Sequence, residues 1–440
     1  MLPTLLVLCI YLLSLSIFPS TSEATVPPSA RFSFVNEGDF GDYVVEYDAN
    51  YRVLSIVRAP FQLCFYSTTP GQYTLALLMG TVRSEALMRW VWEANRGNPV
   101  GENATFSLGA NGNLVLAHPD GRIAWQSNTA NKGVVGFELL NNGNMVLKNS
   151  NGGFVWQSFD SPTDTLLVGQ SLRLGAATKL VSRASAEQNR NGAYSLVMEP
   201  RDVAMYFTGT NSRTPYRYFS FAGAQRFSIP DGSTVLNVTL TPTLGLQAEF
   251  ANSTSGGGGY VFKNPRFNTT LSYLRLETDG NLRIHTYIIG TDSEGSEFQR
   301  WEISVTVFSE EDVWALETKC QLPGRCGELG VCENSQCVGC PTPSGLAGWS
   351  SDCKAPKLSG CGGKVKYFEL KGVDHFVVKY TRGDGPVKQQ NCADKCSKDC
   401  KCLGYFYHTD SSRCWIAEEL KTLTRVGNST HLAYIKTPAQ

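Results

Sequence analysis

Phe154-Val-Trp-Gln-Ser-Phe-Asp-Ser-Pro-Thr-Asp-Thr-Leu-Leu-Val-Gly-Gln170 stands between two parts of the chain that both have β-type patterning. It begins with a short apolar run around Trp156, turns at Ser161-Pro-Thr-Asp164 and ends in a second apolar run that closes on Gly169. Proline has no backbone N–H to donate to a β-ladder, so Pro162 predicts that the chain leaves its sheet there. The stretch therefore predicts a junction between two all-β units.

An internal repeat precedes this junction. Similar tetrads recur with their tryptophans 33 and 31 residues apart: Trp92-Glu-Ala-Asn95, Trp125-Gln-Ser-Asn128 and Trp156-Gln-Ser-Phe159. The stretches Asn111–Leu116 (N-G-N-L-V-L) and Asn142–Leu147 (N-G-N-M-V-L) precede the second and third tetrads and predict tight hairpins in which both central residues take positive φ. Three small sheets with inward tryptophans can share a core only around a common axis. The repeat therefore predicts a three-fold β-prism over about residues 33–159.

Composition points to a secreted protein without a nucleic-acid or membrane role. An uncharged run from Leu5 to Phe18, roughly fourteen residues, is too short for a membrane span and is typical of a signal peptide, predicted here as residues 1–24. Lys plus Arg equals Asp plus Glu at 39 each, which leaves no basic excess for nucleic acid. Five Asn-x-Ser/Thr sequons are predicted glycosylation sites in surface loops: Asn103, Asn237, Asn252, Asn268 and Asn428.

Cysteines are concentrated near the C-terminus. Twelve lie between Cys320 and Cys414, and this density in a secreted chain predicts a disulfide framework rather than a zinc site. Cys64 lies in the apolar run Phe61–Tyr66 and is predicted to be a buried free thiol or, alternatively, an intermolecular linker. Six cysteines are predicted to pair among themselves, with fifteen pairings open: Cys320, Cys326, Cys332, Cys337, Cys340 and Cys353.

Motifs of catalysis are missing from the sequence. The five histidines do not stand at a metal-ligand spacing such as H-E-x-x-H, and there is no G-x-S-x-G motif. The acid pairs Asp160/Asp164 and Glu310/Glu311 lie next to turns, as solvated surface acids do. Two glycosidase carboxylates can come from anywhere in a chain, so that alternative stays open. We nevertheless expect no enzyme activity, no metal and no cofactor.

The tetrads, the N-G-N-L-V-L hairpin and the W-Q-S-F-D-S-P-T-D stretch resemble the bulb-type (mannose-binding, or G-type) lectin domain of plants. The resemblance is to the form in S-locus glycoproteins and lectin receptor kinases, and Phe61–Leu77 narrows it to secreted wall-associated relatives without a kinase, such as the carrot epidermis-specific secreted glycoprotein group. It covers essentially the whole mature chain. It implies an all-β fold with four units: a bulb-type lectin prism (25–160), a second, degenerate lectin-like prism (161–315), an EGF-like cysteine-rich linker (316–356) and a PAN/apple module with one short helix (357–440).

The resemblance also carries detail for the later units. In the second prism, Leu276–Tyr287 contains another Gly-Asn-Leu hairpin, and Trp301 repeats the tryptophan that follows each hairpin. The PAN/apple resemblance implies disulfides that staple a short helix to a curved sheet, with three charged residues on the exposed side of that helix. The implied pairs are Cys392–Cys414, Cys396–Cys402 and Cys361–Cys400, and the implied exposed residues are Asp394, Lys395 and Lys398.

Bulb-type lectins bind mannose through Q-x-D-x-N-x-V-x-Y, whose amide and carboxylate groups bond sugar hydroxyls while Val packs on the ring. The terminal Gln and Tyr are replaced by Gly109 and Ala117 in the second repeat, and Glu277 and His285 take those places in the second prism. Losing a buried hydrogen-bonding partner costs roughly 1–3 kcal/mol, so weak binding is predicted. Each Asn is alternatively a turn former without a ligand. The candidate carbohydrate-binding residues are Asn111, Asn113, Val115, Asn142, Asn144, Val146, Asp279 and Asn281.

Together these features predict a secreted plant glycoprotein of the apoplast or cell wall that binds mannose-type glycans or wall polysaccharides weakly. The alternative is an interaction or structural wall protein that does not bind sugar. In that case the PAN module or the prism surfaces would contact other extracellular proteins or a second copy of the chain.

Overall fold

The structure is a computed structural model that describes residues 25–80, 88–212, 214–225, 229–243, 245–251, 259–262, 271–291, 293–312, 315–358 and 364–439. The predicted signal peptide, sequons Asn252 and Asn268, and Cys361 lie outside these residues. Strands dominate the fold, and one α-helix, α1 (Gln389–Lys398), lies among the described residues. None of the described helices is long and apolar enough to cross a membrane.

Three antiparallel sheets form the first prism, with strand orders β1-β6-β7-β8, β2-β3-β4-β5 and β11-β10-β9. The strands are β1 (Phe32–Val35), β2 (Asn50–Arg58), β3 (Phe61–Thr69), β4 (Gln72–Met79), β5 (Arg89–Glu93), β6 (Thr105–Leu108), β7 (Leu114–Ala117), β8 (Ile123–Gln126), β9 (Val134–Leu139), β10 (Met145–Asn149) and β11 (Phe154–Gln157).

The tetrad tryptophans meet at the centre of this prism. The ring centroids of Trp92 and Trp125 are 5.9 Å apart, those of Trp125 and Trp156 are 5.7 Å apart, and those of Trp92 and Trp156 are 6.4 Å apart. All three pairs are edge-to-face, the arrangement that the aromatic quadrupole favours. The three-fold prism predicted from the spacing of the tetrads is confirmed.

The hairpin turns differ from the prediction in their backbone. Gly112 has a φ of 77°, whereas Asn111 stays at negative φ, and the N–H of Gly112 donates to the carbonyl of Gly109 at 3.1 Å. Leu108 pairs with Leu114, so the loop has five residues instead of two. The prediction of positive φ at both central positions is therefore wrong. Glycine is still required, because a Cβ at Gly112 would also lie 2.6 Å from the side chain of Val134.

The second prism repeats the three-sheet plan, with strand orders β12-β21-β22-β23, β13-β18-β19-β20 and β14-β15-β16-β17. Its strands are β12 (Thr165–Leu167), β13 (Ser171–Arg173), β14 (Lys179–Arg183), β15 (Asn191–Glu199), β16 (Asp202–Phe207), β17 (Tyr216–Ser220), β18 (Thr234–Leu240), β19 (Leu246–Ala251), β20 (Gly259–Phe262), β21 (Ser272–Leu276), β22 (Leu282–Thr291) and β23 (Glu297–Thr306).

Trp301 does not occupy the place that the sequence repeat gave it. It is half-buried on β23 beside Tyr273 and Tyr287, with ring centroids 5.1 and 5.6 Å away. The interior of the second prism is instead filled by other aromatic rings, including the fully buried Tyr218 and Phe308. The prediction that Trp301 is equivalent to the axial tryptophans is therefore wrong.

Asp164, the last acid of the junction turn, is buried between the prisms. Its side chain is 5% exposed and accepts from Nη2 of Arg96 at 2.9 Å, while Nε of the same arginine donates to Glu93. Asp160, from the same turn, is 46% exposed. The interpretation of Asp164 as a solvated acid is wrong, because the sequence does not reveal that Arg96 from the first prism reaches it.

Two further arginines extend this contact. Arg183 of the second prism is fully buried and donates to Oε1 of Glu93 at 3.2 Å and to the hydroxyl of Tyr66 at 2.5 Å. Arg275 of the second prism donates to Glu46 and to the carbonyl of Trp90, each at 2.5 Å. We call Glu46, Glu93, Arg96, Asp164, Arg183 and Arg275 the inter-prism ion-pair network.

The C-terminal part shares a hydrophobic core with the second prism, where Phe207 and Phe376 pack edge-to-face with ring centroids 6.1 Å apart. A five-stranded sheet has the order β26-β25-β24-β31-β28, and a four-stranded sheet has the order β27-β32-β29-β30. Strand β24 of the cysteine-rich segment pairs in parallel with β31, so the predicted linker and the predicted PAN module share a sheet. The strands are β24 (Leu329–Glu333), β25 (Gln336–Thr342), β26 (Gly345–Ala347), β27 (Val365–Lys371), β28 (Val373–His375), β29 (Gly404–His408), β30 (Arg413–Ala417), β31 (Lys421–Arg425) and β32 (His431–Pro438).

Disulfides reinforce this region. Cys392 and Cys396 lie on α1 and are joined to Cys414 and Cys402, the pairing that the PAN/apple resemblance implied. Cys400 is also disulfide-bonded, and its implied partner Cys361 lies outside the described residues. The exposed side of α1 carries Asp394, Lys395 and Lys398. In the cysteine-rich segment the bridges are Cys320–Cys332, Cys326–Cys337 and Cys340–Cys353.

The described sequons differ in their setting. Asn103 and Asn428 are exposed outside the strands, as expected. Asn237 lies instead within β18, where its Nδ2 donates to Oε2 of Glu249 at 2.6 Å, so the expectation of a loop is wrong there. A glycan on Asn237 would have to replace that hydrogen bond.

The first prediction concerns Asp164. Burial alone would raise its pKa, but Arg96 and Arg275 outweigh burial and hold the pKa of the carboxyl below its usual range. We expect Asp164→Asn to lower the free energy of unfolding by about 3 kcal/mol, because it leaves buried arginines without a counter-charge. Denaturant titration measures this loss, and Asp160→Asn, the exposed control, is expected to change stability by less than about 0.5 kcal/mol.

The pH dependence of that difference is a separate check. A carboxyl with a depressed pKa stabilises the folded state above its unfolded pKa of about 3.9, and the contribution is lost as pH falls through the lower folded value. The gap between wild type and Asp164→Asn should therefore stay constant from pH 7 to 5 and shrink below about pH 4. A gap that closed near pH 6 would contradict the assignment to Asp164.

The second prediction concerns Cys64. This thiol is free and fully buried on β3, and burial raises its pKa well above the usual value. We expect the native protein to resist a thiol-specific reagent and to take up one equivalent per chain after unfolding in urea without reductant, because the thiolate is the reactive form. Rapid labelling of the native protein, or a covalent dimer linked through Cys64, would contradict this.

Candidate carbohydrate-binding sites

Asn113, the central Asn of the second repeat, is turned into the fold. Its Nδ2 donates to Oε1 of Gln126 at 2.8 Å, and its Oδ1 accepts from the N–H of Thr129 at 3.0 Å and from the hydroxyl of Ser127 at 3.2 Å. Gln126 and Ser127 are the second and third residues of the Trp125 tetrad. The tetrad therefore recurs with the hairpin because its Gln and Ser hold the hairpin Asn.

The third repeat makes the same contacts. Nδ2 of Asn144 donates to Oε1 of Gln157 at 2.8 Å, and Oδ1 accepts from the N–H of Phe159 at 3.2 Å and the hydroxyl of Ser158 at 3.3 Å. Both amide atoms of this buried side chain therefore already have partners within the fold. The turn-forming role is directly visible for Asn113 and Asn144, and a sugar contact would need these bonds to be exchanged.

The other first-prism candidates divide by exposure. Asn111 and Asn142 are exposed at the hairpin tips, where their Oδ1 atoms accept from the backbone N–H two residues later at 3.0 and 3.2 Å. Val115 is half-buried and Val146 is fully buried. The structure therefore does not bring these residues together as one open polar surface.

The hairpin of the second prism follows a similar plan. Asn281 is fully buried and exchanges two hydrogen bonds with the backbone of Phe308, at 2.9 and 3.2 Å. Asp279 is exposed, but both carboxylate oxygens accept from the guanidinium of Arg283, at 3.0 and 2.7 Å. This carboxylate can still accept from a ligand hydroxyl, because ionised carboxylates have about four acceptor positions.

Two residues of the same hairpin line a larger site. Glu277 and His285 stand where the lectin motif has its Gln and Tyr, and Oε1 of Glu277 lies 2.7 Å from Nε2 of His285. Both face a groove of about 770 Å³ between the two prisms. We call it the inter-prism groove, and it is lined by Val44, Val45, Glu46, Tyr47, Asp48, Arg89, Tyr273, Arg275, Glu277, His285, Trp301 and Ile303.

Aromatic rings form much of the inter-prism groove. Tyr273 stacks on His285 at 4.9 Å and meets Trp301 edge-to-face, while the guanidinium of Arg89 lies 6.0 Å from the Trp301 ring. Tyr47 supplies a ring from the first prism. Aromatic and charged side chains placed together in a concave site can pack against the C–H faces of a sugar and bond its hydroxyls.

The hydroxyl of Tyr273 makes no hydrogen bond within the described part of the chain. The residue is fully buried. Burial raises the pKa of Tyr273, so the hydroxyl stays protonated and able to donate. Buried hydroxyls are nearly always paired in folded proteins, so this one is an exception, and because it has almost no accessible surface a ligand in the groove does not touch it.

The backbone of the groove is also strained. Tyr47 and Asp48 both lie at positive φ, 68° and 51°. This conformation is uncommon for non-glycine residues, and positions that hold it against its cost are frequent at binding and catalytic sites. The ion-pair network meets this wall, because the guanidinium of Arg183 lies 4.5 Å from the ring of Tyr47.

Sequence reasoning missed the inter-prism groove for identifiable reasons. Glu277 and His285 were visible as departures from the lectin motif, but Tyr47, Arg89 and Trp301 come from separate parts of the chain. A signal was available in Trp301, whose spacing from its hairpin differs from that of the tetrads. No local pattern could have shown that the first prism covers one end of the hairpin.

The acid pairs noted in the sequence do not form a paired carboxylate site. Asp164 is buried against Arg96, whereas Asp160 is largely exposed. The exposed Glu310 accepts from the hydroxyl of Ser335 at 2.6 Å. One group of potential metal ligands occurs among the described residues, and it lies in the C-terminal sheets, far along the chain from the groove residues.

Comparison with known proteins places the chain in a family. The model of the family described as "D-mannose binding lectin" matches residues 89–188. The chain is 48% identical over 429 residues to "EP1-like glycoprotein 3" of Arabidopsis thaliana, covering 97% of this chain and 96% of that protein. It is 51% identical over 366 residues to "Epidermis-specific secreted glycoprotein EP1" of Daucus carota, covering 79% and 92%.

A more distant relative is the "G-type lectin S-receptor-like serine/threonine-protein kinase SD2-5" of Arabidopsis thaliana. It is 28% identical over 384 residues, covering 84% of this chain and 43% of the kinase. The EP1-like relatives instead match along almost the whole of both chains. With this identity, and with the prism found around the tetrad tryptophans, the chain belongs to the EP1-like glycoprotein family and contains a bulb-type lectin domain.

Proposed function

We propose that this protein is a secreted glycoprotein of the plant apoplast or cell wall that binds neutral glycans and is not an enzyme. The inter-prism groove is the proposed site, in preference to the hairpins of the first prism. The observation that carries the choice is a groove between the prisms in which the aromatic ring of Trp301 lies beside the polar side chains of Arg89 and Glu277. The amides of Asn113, Asn144 and Asn281, by contrast, already have partners.

The charges of the groove favour neutral sugars. Arg89 and Arg275 face three carboxylates, from Glu46, Asp48 and Glu277. Arg275 is already neutralised by Glu46 at 2.5 Å. An acidic polymer such as a polyuronide would meet no cationic excess here, whereas mannose-type or other neutral wall oligosaccharides can use both donors and acceptors.

Secretion and modular organisation are part of the same proposal. The uncharged N-terminal run, the sequons, the disulfide-rich C-terminal region and the relationship to a carrot protein named as secreted all support it. We propose residues 357–440 as a PAN module, since α1 is stapled to the adjoining sheet by Cys392–Cys414. Its exposed helix side offers charged groups to a protein partner, which is the alternative function.

The third prediction separates binding from folding. We expect Trp301→Ala to weaken glycan binding about tenfold, equivalent to about 1.4 kcal/mol, through lost ring contact. Tyr273→Phe is expected to leave stability unchanged or slightly raised and to leave binding unchanged, because the lost hydroxyl has no protein partner and no surface open to a ligand. A glycan array followed by titration with neutral oligosaccharides measures both effects on the secreted, glycosylated protein.

Phe154→Ala is the matched control, since Phe154 is an exposed aromatic residue on the first prism, away from the groove. It is expected to bind as wild type. Binding that survives Trp301→Ala but is lost in Asn111→Ala/Asn142→Ala would place the site at the hairpin tips. A folded wild-type protein that binds no glycan would favour the protein-interaction alternative.

The fourth prediction concerns the central Asn residues. We expect Asn113→Ala to lower the free energy of unfolding by about 1–3 kcal/mol, because it leaves the amide of Gln126 and the N–H of Thr129 without their partner. The folded fraction should bind glycan with unchanged affinity. Thermal unfolding and titration of the same preparation test both parts, and a loss of affinity at wild-type stability would show instead that Asn113 contacts the sugar.

A further inference from the structure

Three side chains from three strands converge in the C-terminal region. Nε2 of His408 lies 2.9 Å from Oδ1 of Asp374, and Nδ1 of His431 lies 2.8 Å from Oδ2 of the same carboxylate. The three ligand atoms lie within 4.8 Å of one another. Asp374 is separated from the two histidines by 34 and 57 residues, so no sequence spacing indicated the group.

The backbone fixes the positions of these residues. His408 ends β29 and His431 begins β32, and the two are directly paired across these neighbouring antiparallel strands. The N–H of Gly372, which precedes β28, donates to the carbonyl of His431 at 2.8 Å. Asp374 therefore stands on a strand tied to the same ladder. Sites built on strands hold their ligands more precisely than sites on loops.

The rings are packed as well as positioned. The imidazoles of His408 and His431 are stacked with centroids 3.5 Å apart and planes 19° apart, and Trp415 packs against His408 at 4.6 Å. The side chains of Asp374, His408 and His431 are 16%, 11% and 18% exposed. The group is thus partly buried, and each of its three side chains keeps some surface exposed to solvent.

Neighbouring residues are engaged elsewhere. His375, the next residue after Asp374, points the other way, and its Nε2 lies 2.9 Å from the carbonyl oxygen of Glu419 in the core. Asp410 lies two residues after His408 and accepts from the hydroxyl of Thr430 at 3.2 Å. Its carboxylate adds negative charge near the two imidazoles without joining the group of three.

We propose that Asp374, His408 and His431 bind a divalent transition-metal ion, with Zn²⁺ as the best-suited ion. Two imidazole nitrogens and one carboxylate oxygen make a ligand set that Zn²⁺ accepts in tetrahedral geometry, with water in the fourth position. Ca²⁺ and Mg²⁺ are less suited, because they prefer sets composed of oxygen ligands. The net charge of two neutral imidazoles and one carboxylate also attracts a cation.

Binding requires the two rings to turn, because imidazoles stacked 3.5 Å apart with planes 19° apart cannot both point an in-plane lone pair at one ion. Ligand atoms at about 2.0–2.1 Å from a tetrahedral ion are separated by about 3.3 Å, so the two N···O pairs open by a few tenths of an ångström. In the structure these two nitrogens carry the protons that they donate to Asp374, so each imidazole takes the other tautomer on binding, with its proton on the ring nitrogen that faces away from the ion.

The fifth prediction tests this site on the full-length, secreted protein after treatment with a chelator. We expect calorimetric titration with Zn²⁺ alone to give one ion per chain and Zn²⁺ to raise the Tm. Co²⁺ is expected to give the visible absorption of a tetrahedral site. Asp374→Asn keeps the size of the side chain but removes its charge, and it should weaken Zn²⁺ binding at least tenfold and abolish the Tm shift.

His431→Gln provides a second variant that removes a different ligand, so a folding defect in one variant does not decide the outcome. His118→Gln is the matched control, since His118 lies in the first prism outside the group, and it should bind Zn²⁺ as wild type does. Wild-type protein that takes up no Zn²⁺, or uptake that is equally strong in the Asp374 and His431 variants, would overturn the proposal.

Discussion

The buried ion pairs between the two prisms are the constraint on which the rest of the structure depends. Glu93 and Arg96 of the first prism meet Asp164 and Arg183 at the junction, all with nearly inaccessible side chains. Charges removed from water are costly unless each finds a partner, so this contact tolerates few relative positions of the two prisms. A purely apolar contact would allow sliding, whereas paired charges specify one arrangement. The Pro162 turn supplies the acid that completes it.

The inter-prism groove follows from that fixed arrangement. Its walls come from both prisms, with Tyr47 and Arg89 on one side and Tyr273, His285 and Trp301 on the other. None of these residues would form a site on an isolated prism. The ion-pair network also forms part of the groove, because Glu46 and Arg275 join the two prisms in its wall and Arg183 lies against the ring of Tyr47. Stability and the proposed glycan binding have a common structural basis.

The sequence predicted the repeated parts of the fold well, because the same contacts in each repeat require the same residues at the same spacing. The tetrad tryptophans pack on one axis, and Asn113 recurs with Gln126 because the two are hydrogen-bonded. Asp164 was misjudged, because burial by a residue far along the chain leaves no local pattern. The Asp374 group was invisible for the same reason. Contacts that repeat along the chain can be predicted from residue spacing, whereas sites assembled from distant strands can be identified only once the fold is known.

The degenerate motif positions show how a lectin scaffold can change its site without changing its core. Asn113 and Asn281 keep the hairpins folded through hydrogen bonds within the prism, and this role does not require a bound sugar. The side chains of Glu277 and His285 do not hold the turn in this way, so other residue types than those of the motif fit these two positions. On the second prism these two positions face the first prism, and their side chains now serve a groove that only a two-prism molecule can form. The asparagines that made the lectin resemblance recognisable therefore serve folding, while the proposed ligand binding depends on the inter-prism surface.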